Sequence, residues 1–100
     1  GDIYPCHQFV GKEDDILGNI NNERIEIPED VTTMFREAHV YNKETCQTCW
    51  NKFDCSGGCH ANAINFNNDI KKPYDLGCEM QKKRTECAIM IQAKLLTEGE

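Results

Sequence analysis

One hundred residues carrying a formal net charge of −6 and a pI near 5.0 make a single domain whose core is marginal without staples, and seven cysteines are the obvious staples. The basic residues form no large patch, so nucleic-acid binding through counterion release is not expected; Lys71-Lys72 and Lys82-Lys83-Arg84 read as a solvated helix face. No apolar run approaches the about 18 residues that cross a bilayer, and the N-terminus lacks a charged region followed by an apolar one, so a soluble chain with no membrane partner is expected.

The opening Gly1-Asp2-Ile3-Tyr4-Pro5-Cys6 reads as the start of a fragment of a larger protein. Weak alternation over residues 1–10, bracketed by Gly1 and Gly11, predicts an irregular strand or hairpin arm that carries Cys6. A second short strand is expected around Ile16 to Ile20, inside an acidic, turn-prone stretch. Pro28, Asp30 as N-cap and Val31, Met34, Phe35 and Ala38 at helical spacing predict a short amphipathic helix over 30–39, with His39 at its C-terminal dipole.

Cys46 to Cys59 reads C-x2-C-x5-C-x3-C, four soft ligands within fourteen residues. Two residues between Cys46 and Cys49 let both sulfurs point at one ion, with backbone N–H groups of the turn donating to thiolates. Lys43, Lys52 and the N–H groups of Ser56, Gly57 and Gly58 are placed to compensate negative sulfur. The two glycines permit positive φ and close backbone approach. Trp50 and Phe53 either shield the site from water or belong to an ordinary core. An odd number of cysteines leaves one unpaired in any pure disulfide framework, which favours metal over disulfides.

Beyond the nest, His60 to Phe66 is expected to form one or two helical turns ending at Asn67-Asn68. His60 and His7 each follow a cysteine, but neighbouring side chains point apart, so neither is counted as a ligand. Pro73 breaks the chain and Asp75 is the expected N-cap of the longest helix, about Glu79 to Leu96. Met80, Arg84, Cys87, Ala88, Ile91 and Leu95 share one of its faces, and Cys87 is expected there as a buried free thiol. Cys78, near the start of the helix, is expected as a thiolate ligand favoured by the dipole and by free N–H groups.

With the cysteines in place, the pattern C-x2-C-x5-C-x3-C followed after eighteen residues by Cys78 resembles the SPASM domain, the auxiliary-cluster domain at the C-terminus of many radical S-adenosylmethionine (SAM) enzymes. Its upstream signature, C-x9–15-G-x4-C, is half present: Cys6 and Gly18 fit, and Glu23 stands where the last cysteine belongs. Tyr4-Pro5-Cys6-His7-Gln8-Phe9, Cys55-Ser56-Gly57-Gly58-Cys59 and Lys83-Arg84-Thr85-Glu86-Cys87-Ala88-Ile89-Met90 look closest to the maturases of SCIFF peptides, small cysteine-rich precursors that receive thioether cross-links. The resemblance covers nearly the whole chain and makes residues 1–100 one auxiliary-cluster domain.

It implies two [4Fe–4S] clusters. Cys46, Cys49, Cys55 and Cys78 are expected to hold the second, fully ligated one, and Cys6 and Cys59 part of the first, where an iron without protein thiolate is free to accept a substrate cysteine. The radical-generating C-x3-C-x2-C motif is missing, so these residues alone are expected to be inactive and to contribute no catalytic residue. The implied partners are the radical SAM core of the same enzyme and the cysteine-rich precursor peptide. The residues themselves leave two alternatives: a structural zinc domain with four thiolate ligands that mediates protein interaction, using Cys46, Cys49, Cys55 and either Cys59 or Cys78, and a disulfide scaffold. Zinc or a single iron also suits the isolated fragment. The fold class expected is α+β, a small metal-stabilised domain with a short N-terminal β-hairpin, a cysteine-rich loop core and a C-terminal helix.

Overall fold

The computed structural model describes residues 1–99, and the chain divides into two units, Gly1–Glu37 and Ala38–Glu100. The architecture is α+β: one two-stranded antiparallel ladder and several helices. No helix of the described residues is long and apolar enough to cross a membrane.

In the first unit the ladder is shorter than the alternation suggested. Strand β1, Asp2–Ile3, pairs with β2, Gly18–Asn19, in the register Asp2↔Asn19 and Ile3↔Gly18. The Asn19 amide donates to Asp2 Oδ1 at 3.0 Å, and the Asn19 Oδ1 accepts from Asn21 N at 2.9 Å, which turns the chain away at the end of the ladder. Between the strands lie two single 3-10 turns: His7–Phe9, where extended chain was expected, and Glu13–Asp15, in the stretch expected to be turn-prone. The first places Phe9 almost fully inside, edge-on to Phe35 at 6.1 Å. Helix α1, Glu29–Glu37, starts one residue before the expected cap, so Asp30 lies within its first turn, where Glu29 and Asp30 face the positive end of the dipole. Val31, Met34 and Phe35 border a crevice with Pro5, Ile16 and Leu17.

In the second unit the cysteine loop is not irregular throughout. Two single turns, α2 (Glu44–Gln47) and α3 (Lys52–Cys55), carry Cys46 and Cys55. Helix α3 ends on Ser56 in the left-handed region at φ 62°, followed by Gly57 at 101° and Gly58 at 79°, a reversal that glycine allows at little cost. Helix α4, His60–Asn67, stops at Asn68, also left-handed at φ 54°. The Asn67 amide donates to the carbonyls of Lys72 and Pro73, both at 2.9 Å, and Phe66 stacks on Tyr74 at 4.1 Å, fixing the corner into the last helix. Helix α5, Asp75–Glu98, begins four residues earlier than the periodicity indicated, with Tyr74 rather than Asp75 at the cap; Pro73 just upstream sets that start.

The cores are small. Among the described residues the buried apolar side chains are Phe9 in the first unit and Ala38, Val40, Cys46, Ala61, Ala63, Ile70 and Pro73 in the second. None comes from α5, whose Met80, Ile91 and Leu95 are more than half exposed. Cys87, expected inside the apolar face, is exposed, because nothing in this unit covers that face. Trp50 and Phe53 are likewise outside, at 57% and 67% exposure. They belong to neither a core nor a closed shield, and Phe53 instead leans on Tyr41 at 6.2 Å and under the Lys52 ammonium at 5.3 Å.

Candidate metal centre

All seven cysteines are free thiols, so no disulfide framework organises the chain. Four of them gather electrostatically in the second unit. Cys46, buried at the heart of α2, feels the charges of Cys49 and Cys55, and Cys78 on the first turns of α5 feels those of Cys46 and Cys55. Helix α3, which carries Cys55, packs against α5, which carries Cys78. Burial pushes the Cys46 and Cys78 thiols up, the largest influence on each, and the neighbouring sulfurs push further in the same direction.

Lys43 is what three of these sulfurs, Cys46, Cys55 and Cys78, share. It is fully buried, and its ammonium donates to the Gly57 carbonyl at 2.8 Å, inside the Cys55–Cys59 reversal. Burial pulls its pKa down, against the opposing attraction of Cys46, Cys55 and Cys78. The glycine reversal serves this lysine: a Cβ on Gly57 would stand 2.8 Å from Lys43 Nζ, whereas one on Gly58 meets nothing within 4 Å. The close approach expected of Gly57 is therefore made to an amine, and only at the first of the two glycines.

Several expected compensations of sulfur charge are placed elsewhere. Lys52 donates to the Gln47 carbonyl at 3.0 Å and rests on Phe53. Ser56 N is spent on the Lys52 carbonyl at 2.9 Å. The backbone donors that reach sulfur are Asn51 N to Cys49 at 3.4 Å and Asn62 N to Cys59 at 3.5 Å. Both lie two or three residues after their cysteine, the spacing of a turn and of a helix cap. Cys78 N is committed to the Tyr74 carbonyl at 3.0 Å. With Cys78 on the fourth residue of α5, the free N–H groups precede it, and burial raises its thiol.

The remaining sequence candidates are dispersed. Cys59 caps α4, is exposed, and shares a small crevice with Tyr74 and Gly77. Cys6 sits exposed in the first unit, at the cap of its first 3-10 turn, and Glu23 is exposed in a bend of the same unit. The His7 ring meets the neighbouring Gln8 amide at 3.5 Å, and the His39 ring meets the Asn42 amide at 3.2 Å. His60 is half-buried and held down in pKa by burial first and Lys43 second, with a hydrogen bond to the Ala38 backbone.

One residue of the nest went unsuspected. Asn51, between Cys49 and Cys55, is 1% exposed, and neither its Nδ2 nor its Oδ1 has a hydrogen-bond partner. Each buried polar atom left so costs about 1–3 kcal/mol, and no periodicity or spacing signals it, because burial of a loop residue depends on what folds over it.

The donor set suits a thiolate-ligated, anionic group: four soft sulfurs, a buried cation, a backbone donor to Cys49 and an unpartnered buried amide. Coordination geometry itself is not formed, since among the described residues no three His, Cys, Asp or Glu side chains are gathered as they would be around one metal ion. No protein-family model matches the chain, and no curated protein matches it.

Proposed function

We propose that this chain is an auxiliary [4Fe–4S] cluster domain of the SPASM type, serving a radical SAM enzyme that installs thioether cross-links in a cysteine-rich ribosomal peptide. The observation that supports it is the buried Lys43 ammonium, anchored at 2.8 Å on the Gly57 carbonyl between Cys55 and Cys59 and coupled to Cys46, Cys55 and Cys78, with Cys49 coupled to Cys46. On this reading the thiolates of Cys46, Cys49, Cys55 and Cys78 hold one cluster. Bound there, such clusters supply one-electron transfer and a soft docking point for a substrate thiolate.

The chain's own residues do the rest. Lys43 balances sulfur charge, Asn51 N and Asn62 N donate to Cys49 and Cys59, and the left-handed run Ser56-Gly57-Gly58 turns the loop so that Cys55 and Cys59 lie on either side of the lysine's anchor. The partners are the radical SAM core of the same enzyme and the precursor peptide. The exposed apolar side chains of α5 are surface available to such a core. Clusters sensitive to oxygen belong in the cytoplasm of an anaerobe.

Anaerobic reconstitution with iron and sulfide, followed by quantitation of both and Mössbauer spectroscopy, tests this. About four irons and four sulfides in one fully ligated cluster, lost in Cys46→Ser, are expected. A set of four thiols is also the coordination number of structural zinc, so a colourless protein holding one zinc and refusing sulfide supports the structural-zinc reading and refutes the cluster.

A further inference from the structure

Of the whole described chain, the two polar side chains that are buried outright are Lys43 and Asn51, and both lie in the cysteine nest. They arrive there by different routes. Lys43 precedes α2 and is held by the carbonyl of Gly57 at 2.8 Å. Asn51 caps α3, its N–H on the Cys49 sulfur and its carbonyl accepting from Asp54 N and Cys55 N. The backbone of Asn51 is thus fully used while its side-chain amide has no partner. A folded chain tolerates a buried, unpartnered amide where a bound group completes it, and it tolerates a buried ammonium where negative charge faces it. Both requirements are met by one anionic, sulfur-rich occupant.

We infer that Lys43 and Asn51 together set the reduction potential of the centre held by Cys46, Cys49, Cys55 and Cys78, the ammonium by its charge and the Asn51 amide by donating a hydrogen bond to a sulfur of that centre. The inference rests on the cluster reading above. One-electron reduction adds negative charge to the centre. A nearby cation and an N–H donor both stabilise the reduced form more than the oxidised one, so they raise the potential. Neither residue touches a reacting substrate; both are positioning residues.

The test uses the full chain, loaded anaerobically with iron and sulfide, and redox titrations followed by EPR on wild type, Asn51→Leu, Lys43→Gln and Lys43→Arg. Asn51→Leu and Lys43→Gln should each shift the midpoint to more negative potential, and Lys43→Arg, which keeps the charge, should stay near wild type. Metal-free Asn51→Leu should melt above metal-free wild type, because an unpartnered amide is gone, and that advantage should vanish or reverse once the protein is loaded. A purely structural asparagine does the opposite when removed. In wild type labelled with ε-15N lysine, pulsed EPR of the reduced centre should show a 15N coupling, which tests the lysine even if Lys43→Gln does not fold.

Variants that load fully with an unchanged midpoint, a metal-free Asn51→Leu that melts below wild type or fails to fold, or the absence of a 15N coupling each overturn the part of the inference that they probe while leaving the cluster reading standing. A wild-type chain that takes up neither iron nor sulfide overturns the cluster reading itself, and this inference with it.

Discussion

The cysteine nest and helix α5, both in the second unit, invert the usual distribution of polarity in opposite senses. The nest hides Lys43 and Asn51 and leaves Trp50 and Phe53 outside, while α5 exposes Met80, Met90, Ile91 and Leu96 and buries nothing. A chain this short has little apolar area to spare, so neither inversion serves its own packing. The nest stores a buried ammonium held by one carbonyl and a buried amide with no partner, and the helix stores apolar surface that is mostly exposed. The difference separates two kinds of unmet demand, one electrostatic and one hydrophobic, and each can be perturbed without the other.

The largest effect should come from emptying the nest. If a metal or cluster satisfies it, complete removal should lower stability by an amount approaching the about 10 kcal/mol or more linked to structural zinc sites, read as a collapse of the thermal melt by circular dichroism. Superimposable melts before and after removal break the contrast, because the nest is then as self-sufficient as any other loop.

Next in size is the glycine reversal around Lys43. Gly57→Ala combines a positive φ of 101° with a clash at the lysine amine, and Gly58→Ala has only the positive φ of 79°. Chemical denaturation should show a loss of about 2–3 kcal/mol for the first and about 1 kcal/mol for the second. Equal losses mean that Lys43 moves aside freely and does not organise the loop.

Titration sharpens the electrostatic half. The Cys46 and Cys78 thiols are pushed up from the ordinary 9.0, so the folded chain holds those protons more tightly than the unfolded one. That contribution is complete below pH 9.0 and drains as pH rises through the elevated folded values. Lys43 is pulled down from 10.5. Its burial therefore costs stability at low pH, and the cost is relieved as pH climbs from the lowered value toward 10.5. Two thiols against one amine predict that the metal-free chain loses stability above about pH 9, and that Lys43→Met loses it more steeply. Denaturation midpoints across this range check the sign, and a rise with pH contradicts the account.

The smallest effect belongs to the helix. Leu96→Gln alters a side chain already 65% exposed and should change stability by no more than about 0.5 kcal/mol. Replacing Glu98 by Gln, which removes the exposed Lys94–Glu98 pair at 3.7 Å, should be equally mild. A loss above about 1.5 kcal/mol for Leu96→Gln indicates that the face is covered in solution and that the inversion ends there.

Much of the local structure is legible in the sequence. Punctuation by Pro28, Asn67-Asn68 and Pro73 located α1, α4 and α5 to within a few residues, because proline and left-handed asparagine act through their own backbone. The single turns α2 and α3 were not legible: four residues are too few for a helical period to show. At the site, the spacing pointed to Cys46, Cys49, Cys55 and Cys59, and the helix start to Cys78; in the structure Cys46 feels Cys49 and Cys55, Cys78 feels Cys46 and Cys55, and Cys59 and Cys6 stand exposed. Lys43 was legible as a charge beside sulfur, Lys52 misled for the same reason, and Asn51 carried no signal at all. Cys87 misled because an apolar stripe on α5 implies burial only when something packs on it.

The amino-acid order by itself determined where α1, α4 and α5 lie to within a few residues, that Gly57 and Gly58 can take positive φ and how closely four sulfurs follow one another, since each depends on steric and hydrogen-bonding limits within a few bonds. Only the tertiary structure decided that Lys43 and Asn51 are inside while the apolar stripe of α5 is outside. Burial is a property of what distant segments place around a side chain. A helix turns through its period whether or not a neighbour arrives to cover it.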